Sequence, residues 1–93
     1  MELTKEQRHE CYKYALKRFN QERAFAICLE LDDALMSIFD IELNFSTLPE
    51  SFPELLAHKP SNKDMGELWW QLDKTGREKR IEVLESCVEQ TKP

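Results

Sequence analysis

Glycine is nearly missing from this 93-residue chain, with Gly66 and Gly76 the only two. Phosphate-binding loops of the G-x-G-x-x-G and G-x-x-x-x-G-K types need glycines so that backbone N–H groups can approach the ligand, and none can be assembled here. Long apolar runs are also lacking. No stretch nears the roughly 20 residues of a membrane helix, and the opening Met1-Glu2-Leu3-Thr4-Lys5 has no apolar core of a secretory signal. A cytoplasmic location without a membrane partner is expected. Cysteine is sparse: Cys11, Cys28 and Cys87 are odd in number, widely spaced and without a C-x-x-C pair, which speaks against a disulfide framework or a zinc ribbon. Reduced, mostly buried thiols are expected instead. Positive charge is in deficit, with 13 basic against 18 acidic side chains and a formal charge of −5. That balance disfavours direct binding to nucleic acid, which requires clustered cations. An acidic surface suits a basic one, including the nucleic-acid channel of another protein.

Hydrophobic residues make up 41% of the chain and charged residues 33%, enough for a core under a well-solvated surface. The length predicts one domain over residues 1–93. Acidity is concentrated early: residues 1–45 carry 6 basic and 9 acidic side chains, whereas residues 77–93 carry 4 of each. Three of the four prolines, Pro49, Pro53 and Pro60, fall in one stretch, and the remainder reads as helix.

Thr4 followed by Gln7 is a capping-box pattern, so a helix is predicted to start there, with Cys11, Tyr12, Ala15, Leu16 and Phe19 as its apolar stripe. Around Asn20-Gln21 the pattern breaks. A short turn is preferred, and a kinked continuation also fits. The second run, Ala24, Ile27, Cys28, Leu31, Leu35 and Ile38 flanked by Ala34 and Phe39, is the strongest helical signal and predicts the central helix. Glu22, Glu30, Asp32, Asp33 and Asp40 are assigned to its solvated side. From Ile38 to Phe45 the apolar residues can also be read as alternating, as in Phe39, Ile41, Leu43 and Phe45 of a short strand, but no partner strand is evident. Ser51 and Glu54 repeat the capping-box pattern ahead of Leu55, predicting a short helix over residues 52–58. Thr75 with Glu78 caps a last helix, whose stripe is Ile81, Leu84, Cys87 and Val88 and which ends near Thr91. The predicted fold is therefore all-α: a small bundle of three main helices with a short extra helix and a connecting segment containing Pro60, Trp69 and Trp70.

Candidates for chemistry are few. Glu6-x-x-His9 has the spacing of a helical di-iron ligand pair, yet such sites need two copies and further carboxylates, and the chain has one. His9 reads as an exposed residue of the first turns. Cys11 and Cys28 would need a base such as His9 or His58, and both lie on apolar stripes, which favours buried structural thiols. Asp32 and Asp33 are consecutive on a helix and point about 100° apart, so they form no carboxylate dyad. No catalytic residue, metal ligand or cofactor is assigned. Arg77, Lys79 and Arg80 alternate with Glu78, Glu82 and Glu85 and read as solvated i to i+4 pairs. Trp69-Trp70 offers a partner anchor, the alternative being one ring packed inward and one at the rim.

Four segments carry a resemblance: Thr4-Lys5-Glu6-Gln7-Arg8-His9-Glu10-Cys11-Tyr12-Lys13-Tyr14-Ala15-Leu16-Lys17, Pro53-Glu54-Leu55-Leu56-Ala57-His58-Lys59-Pro60, Trp69-Trp70, and Gly76-Arg77-Glu78-Lys79-Arg80-Ile81-Glu82-Val83-Leu84. Together they resemble small uncharacterised proteins encoded by phages and prophages of Bacteroidota. No site residue is carried over. What the resemblance implies is genomic company that includes inhibitors of host defence of the anti-CRISPR type, which act by stoichiometric binding to a nuclease complex in the bacterial cytoplasm. A non-enzymatic protein-binding function is expected, with Glu30, Asp33, Asp40, Glu42, Trp69 and Trp70 as the partner-binding residues. The alternative is a structural or regulatory module that forms a homodimer through apolar surface near Phe45, Phe52, Trp69 and Trp70.

Overall fold

The computed structural model describes residues 2–24, 26–44, 48, 50–58 and 77–93. Four helices lie within them: α1 (Lys5–Asn20), α2 (Ile27–Phe39), the single turn α3 (Pro53–Leu56) and α4 (Arg77–Gln90). No strand occurs among the described residues. The small all-α bundle predicted from periodicity is the observed fold. The expectations for Phe45, Trp69, Trp70 and the Thr75 cap lie outside the described residues.

Helix α1 starts as its sequence dictates. Thr4 Oγ1 accepts from the Gln7 N–H at 3.1 Å and Gln7 Oε1 accepts from the Thr4 N–H at 2.9 Å, closing the capping box. It stops at a true turn. Glu22 adopts φ 60°, the Glu22 N–H donates to Phe19 O at 3.1 Å and the Arg23 N–H donates to Arg18 O at 3.0 Å. These are the two bonds of a Schellman closure, with glutamate where glycine is usual. Arg77, at the start of α4, reinforces the turn by donating from Nη2 and Nε to Phe19 O at 2.8 and 3.2 Å. Its Nη1 also pairs with Glu22 at 3.0 Å, so Arg77 binds across helices and is not engaged in the predicted pairing along α4.

One hydrophobic core joins the elements. Cys11, Tyr12, Ala15 and Phe19 come from α1; Ile27, Cys28, Leu31, Ala34 and Leu35 from α2; Leu48, Phe52 and Leu55 from the region of α3; and Val83, Leu84 and Cys87 from α4. The Tyr12 and Phe52 rings meet edge to face with centroids 5.4 Å apart. Ile41 and Leu43 pack on this core while Glu42 and Asn44 are exposed, so the alternation after α2 belongs to an extended strap with no strand assigned in it.

Three expectations need correction. The central helix is α1, which packs on both α2 and α4, because its stripe is flanked by polar side chains that reach neighbours on either side. Ile38 is 42% exposed, since α2 ends one residue later and has no core left to cover it. Ser51 does not cap α3: Phe52 occupies the cap position with its ring fully buried, and Pro53 stands at the first helical position. Glu54 is engaged elsewhere.

A candidate protein-docking face on the second helix

The off-stripe polar residues of α1 tie the bundle together. Arg8 donates from Nε and Nη2 to the two oxygens of Glu54 at 2.9 and 3.0 Å, and from Nη1 to Leu3 O at 2.7 Å. The Tyr12 hydroxyl adds a third bond to Glu54, at 3.0 Å. Burial alone would raise the Glu54 pKa, but Arg8, its own backbone N–H and Tyr12 outweigh that and hold it below the ordinary value. Tyr12 itself is raised by burial and by the neighbouring Cys87 and Glu54. At the other side of α1, His9 Nδ1 lies 3.0 Å from Thr91 Oγ1, whose own proton goes to Cys87 O at 2.8 Å. His9 is therefore a half-buried link to the end of α4, a correction to its assignment as an exposed residue.

The thiols of the core are shielded. All three cysteines are buried thiols outside any disulfide. Burial pushes the Cys11 and Cys87 thiols up to about 12, with Glu10 and Glu54 respectively adding to the effect. His58 is held below its ordinary value by burial and by the charge of Lys79, and its Nε2 is buried without a hydrogen-bond partner among the described residues. No group of three or more His, Cys, Asp or Glu side chains is placed to hold a metal ion among the described residues. Two open recesses, of about 400 Å³ beside Leu3, Leu43 and Pro53 and about 560 Å³ beside His9, Lys13 and Thr91, hold no cysteine.

The outward face of α2 is different. Ile27, Cys28, Leu31, Ala34 and Leu35 turn inward, which leaves Leu29, Asp33, Met36 and Asp40 at helical spacing on the far side. Leu29 and Met36 are each 52% exposed. Asp33, Asp40 and Glu42 are exposed as well, and α2 carries no basic residue. Asp33 accepts a hydrogen bond from the Tyr14 hydroxyl, which raises the Tyr14 pKa, and the Arg18 guanidinium carbon lies 6.0 Å from the Tyr14 ring centroid. Asp40 closes the helix in the left-handed region, at φ 54°, with its N–H bonded to Met36 O at 3.2 Å.

Glu30 does not belong to this face. It is only 8% exposed, flanks the core beside Ile27 and Ala34, and is held by Arg18 Nε at 2.6 Å. Its charge is spent within the fold. Of the six residues expected to bind a partner, Asp33, Asp40 and Glu42 are exposed on or just beyond α2, Glu30 is withdrawn, and Trp69 and Trp70 lie outside the described residues. Phe52, expected to offer apolar surface, is buried. Leu29 and Met36 were missed by sequence reasoning. Their signal was present, since they are seven residues apart and off the stripe of Cys28, Leu31 and Leu35.

No family model, no curated protein and no solved structure matches this chain. No helix among the described residues is long and apolar enough to cross a membrane.

Proposed function

We propose that this chain is a small acidic, non-enzymatic protein-binding protein that acts as a stoichiometric inhibitor of a host defence complex, with a basic nucleic-acid-binding surface of an RNA-guided nuclease as its target. The observation that carries the reading is the outward face of α2, where exposed Leu29 and Met36 stand with Asp33 and Asp40, and exposed Glu42 follows in the strap. Apolar anchors inside a charged rim are the ordinary composition of a protein interface. A standard interface takes about 800 Å² from each partner, which a domain of this size can supply from one helix face and its surroundings. The resemblance to small phage and prophage proteins directs the choice of target.

The test is titration. Purified chain added to an RNA-guided nuclease should abolish cleavage with an end point at about one chain per complex, and the two should co-elute from a sizing column. Inactivation by far less than one equivalent would indicate an enzyme. No complex and no loss of cleavage at a large excess would remove the nuclease as target. A second reading, self-association into a structural or regulatory module, draws on the same exposed Leu29, Met36 and Ile38. Light scattering from the purified chain at one-chain mass would dispose of it.

A further inference from the structure

We infer that the outward face of α2 is built to receive a basic amphipathic helix of another protein, laid along Leu29 and Met36 with its lysines and arginines over Asp33, Asp40 and Glu42; this rests on the protein-binding reading and names the chemistry of the partner. Three observations carry it. Leu29 and Met36 are seven residues apart, so their side chains share a face and are displaced by about 10.5 Å along the axis. Those are the first and last of the i, i+3 or i+4, and i+7 positions through which a helix docks on a helix, the middle ones here being Asp32 and Asp33.

The second observation is the sign of the charge. Asp33 sits between the two anchors and Asp40 one turn beyond Met36, with exposed Glu42 in the strap that follows; α2 has no basic side chain, and Arg18 of α1, which stands near Asp33 across the Tyr14 ring, is engaged by Glu30. An anionic ligand is repelled. A second copy docked through the same face would set aspartates against aspartates, so the favoured occupant is a cationic surface of another chain.

The third is the placement of the acids. A helix presents partial negative charge at its C-terminus, where cations stabilise and anions do not. Helix α2 has no basic residue in its last turn and ends on Asp40, with Glu42 just beyond. Folding alone would place a lysine or asparagine there, whereas a docked cationic helix turns the concentration of negative charge to advantage. Local conflict of this sort is the mark of a residue selected for binding.

The experiment uses the full chain and two synthetic 18-residue peptides of identical lysine, arginine and leucine content. One has its leucines at i, i+4, i+7 and i+11, and the other is scrambled to destroy the apolar face. The amphipathic peptide should bind one to one, by calorimetry, and about tenfold or more tighter than the scrambled one. The double variant Leu29→Ala/Met36→Ala should weaken it about tenfold or more without moving the melting temperature of the free chain. Asp40→Asn, which keeps a residue tolerant of the left-handed conformation, should weaken peptide binding while raising that melting temperature. Equal binding of both peptides, or no effect of the double variant, overturns the inference, and so does a dimer dissolved by that variant. If the peptide fails but the chain still titrates the nuclease, the docking face is wrong and the inhibitor reading stands; if the peptide binds as described and the nuclease is unaffected, the reverse holds.

Discussion

Replacing Glu54 with alanine would remove a carboxylate that joins α3 to Arg8 and Tyr12 of α1. The side chains of Arg8 and Glu54 are 16% and 13% exposed, and the pair is bidentate. Losing one member of a buried ion pair costs about 3–5 kcal/mol because the other charge is left without compensation. Two features set the cost at the low end, about 3 kcal/mol: the pair keeps some solvent, and Arg8 keeps its bond to Leu3 O. The Tyr12 hydroxyl would lose its acceptor too, within a fully buried residue. A chain of this length has a net stability of roughly 5–14 kcal/mol, and each 1 kcal/mol moves the melting temperature of a small domain by about 4–8 °C. Urea unfolding of Glu54→Ala should therefore show a large drop at constant m-value, with the melting point lower by about 12–24 °C.

Two controls sharpen the expectation. In the pair Arg8→Met/Glu54→Leu the charges leave together and apolar groups fill the space, so the double variant should be more stable than Glu54→Ala. Acid supplies the other. The folded pKa of Glu54 is depressed, so its contribution is fully present above the ordinary value of 4.5 and is lost as pH falls through the folded value. His58, whose pKa is also depressed, destabilises the fold as pH drops below its ordinary 6.5. Glu54 must therefore be isolated as the difference in stability between the natural chain and Glu54→Gln, which should be constant above pH 5 and shrink below about 4.5. A cost for Glu54→Ala below about 0.5 kcal/mol, typical of a surface position, would refute the role given to this contact.

Leu31, fully buried in α2, should lose about 2–5 kcal/mol on replacement by alanine, measured by urea unfolding. The thiols of Cys11, Cys28 and Cys87 should resist a thiol reagent at pH 8 in the native chain and all react in denaturant; rapid native labelling would contradict their burial. Glu30→Gln should lower the melting temperature and leave the association rate with a cationic partner unchanged, while Asp33→Asn/Asp40→Asn/Glu42→Gln should slow association and flatten its salt dependence over the Debye length of about 8 Å at physiological ionic strength. The opposite pattern would restore Glu30 to the docking face.

Features decided within one or two turns were legible in the sequence. Thr4 and Gln7 are three residues apart and form their box with no help from elsewhere. The stripe of Ile27, Cys28, Leu31 and Leu35 likewise needs only helical geometry. Ser51 and Glu54 have the same spacing as Thr4 and Gln7, yet no box forms. The Phe52 ring is drawn into the core against Tyr12, and Arg8, 46 residues distant, takes the Glu54 carboxylate. A stronger, non-local partner wins over the local rule. The ranking of helices failed for a related reason. Apolarity marks α2 as central, but what places a helix in the middle is having neighbours on both sides, and α1 acquires them through Arg8, His9, Tyr14 and Arg18, which a one-dimensional stripe counts as solvated.

The proposed docking face is half legible in the sequence for the same reason. A list of acids on α2 does not say which of them the fold consumes. Glu30 stands three residues after Ile27 and four before Ala34, a position on the border of the stripe, and only the approach of Arg18 from α1 decides that its charge is neutralised inside the bundle. Asp33 gives a hydrogen-bond site to Tyr14 but stays exposed. Asp40 and Glu42 have no basic neighbour on their own helix and stand at the end where the backbone is already negative. The negative potential is therefore not spread along the helix as the sequence suggests. It gathers toward the C-terminal half of α2, beside Met36, with Leu29 at the less charged end. A cationic amphipathic helix bound there should keep its apolar face along both Leu29 and Met36 and have its basic residues crowded toward the end that meets Asp40, so moving those basic residues to the other end of a test peptide should weaken its binding.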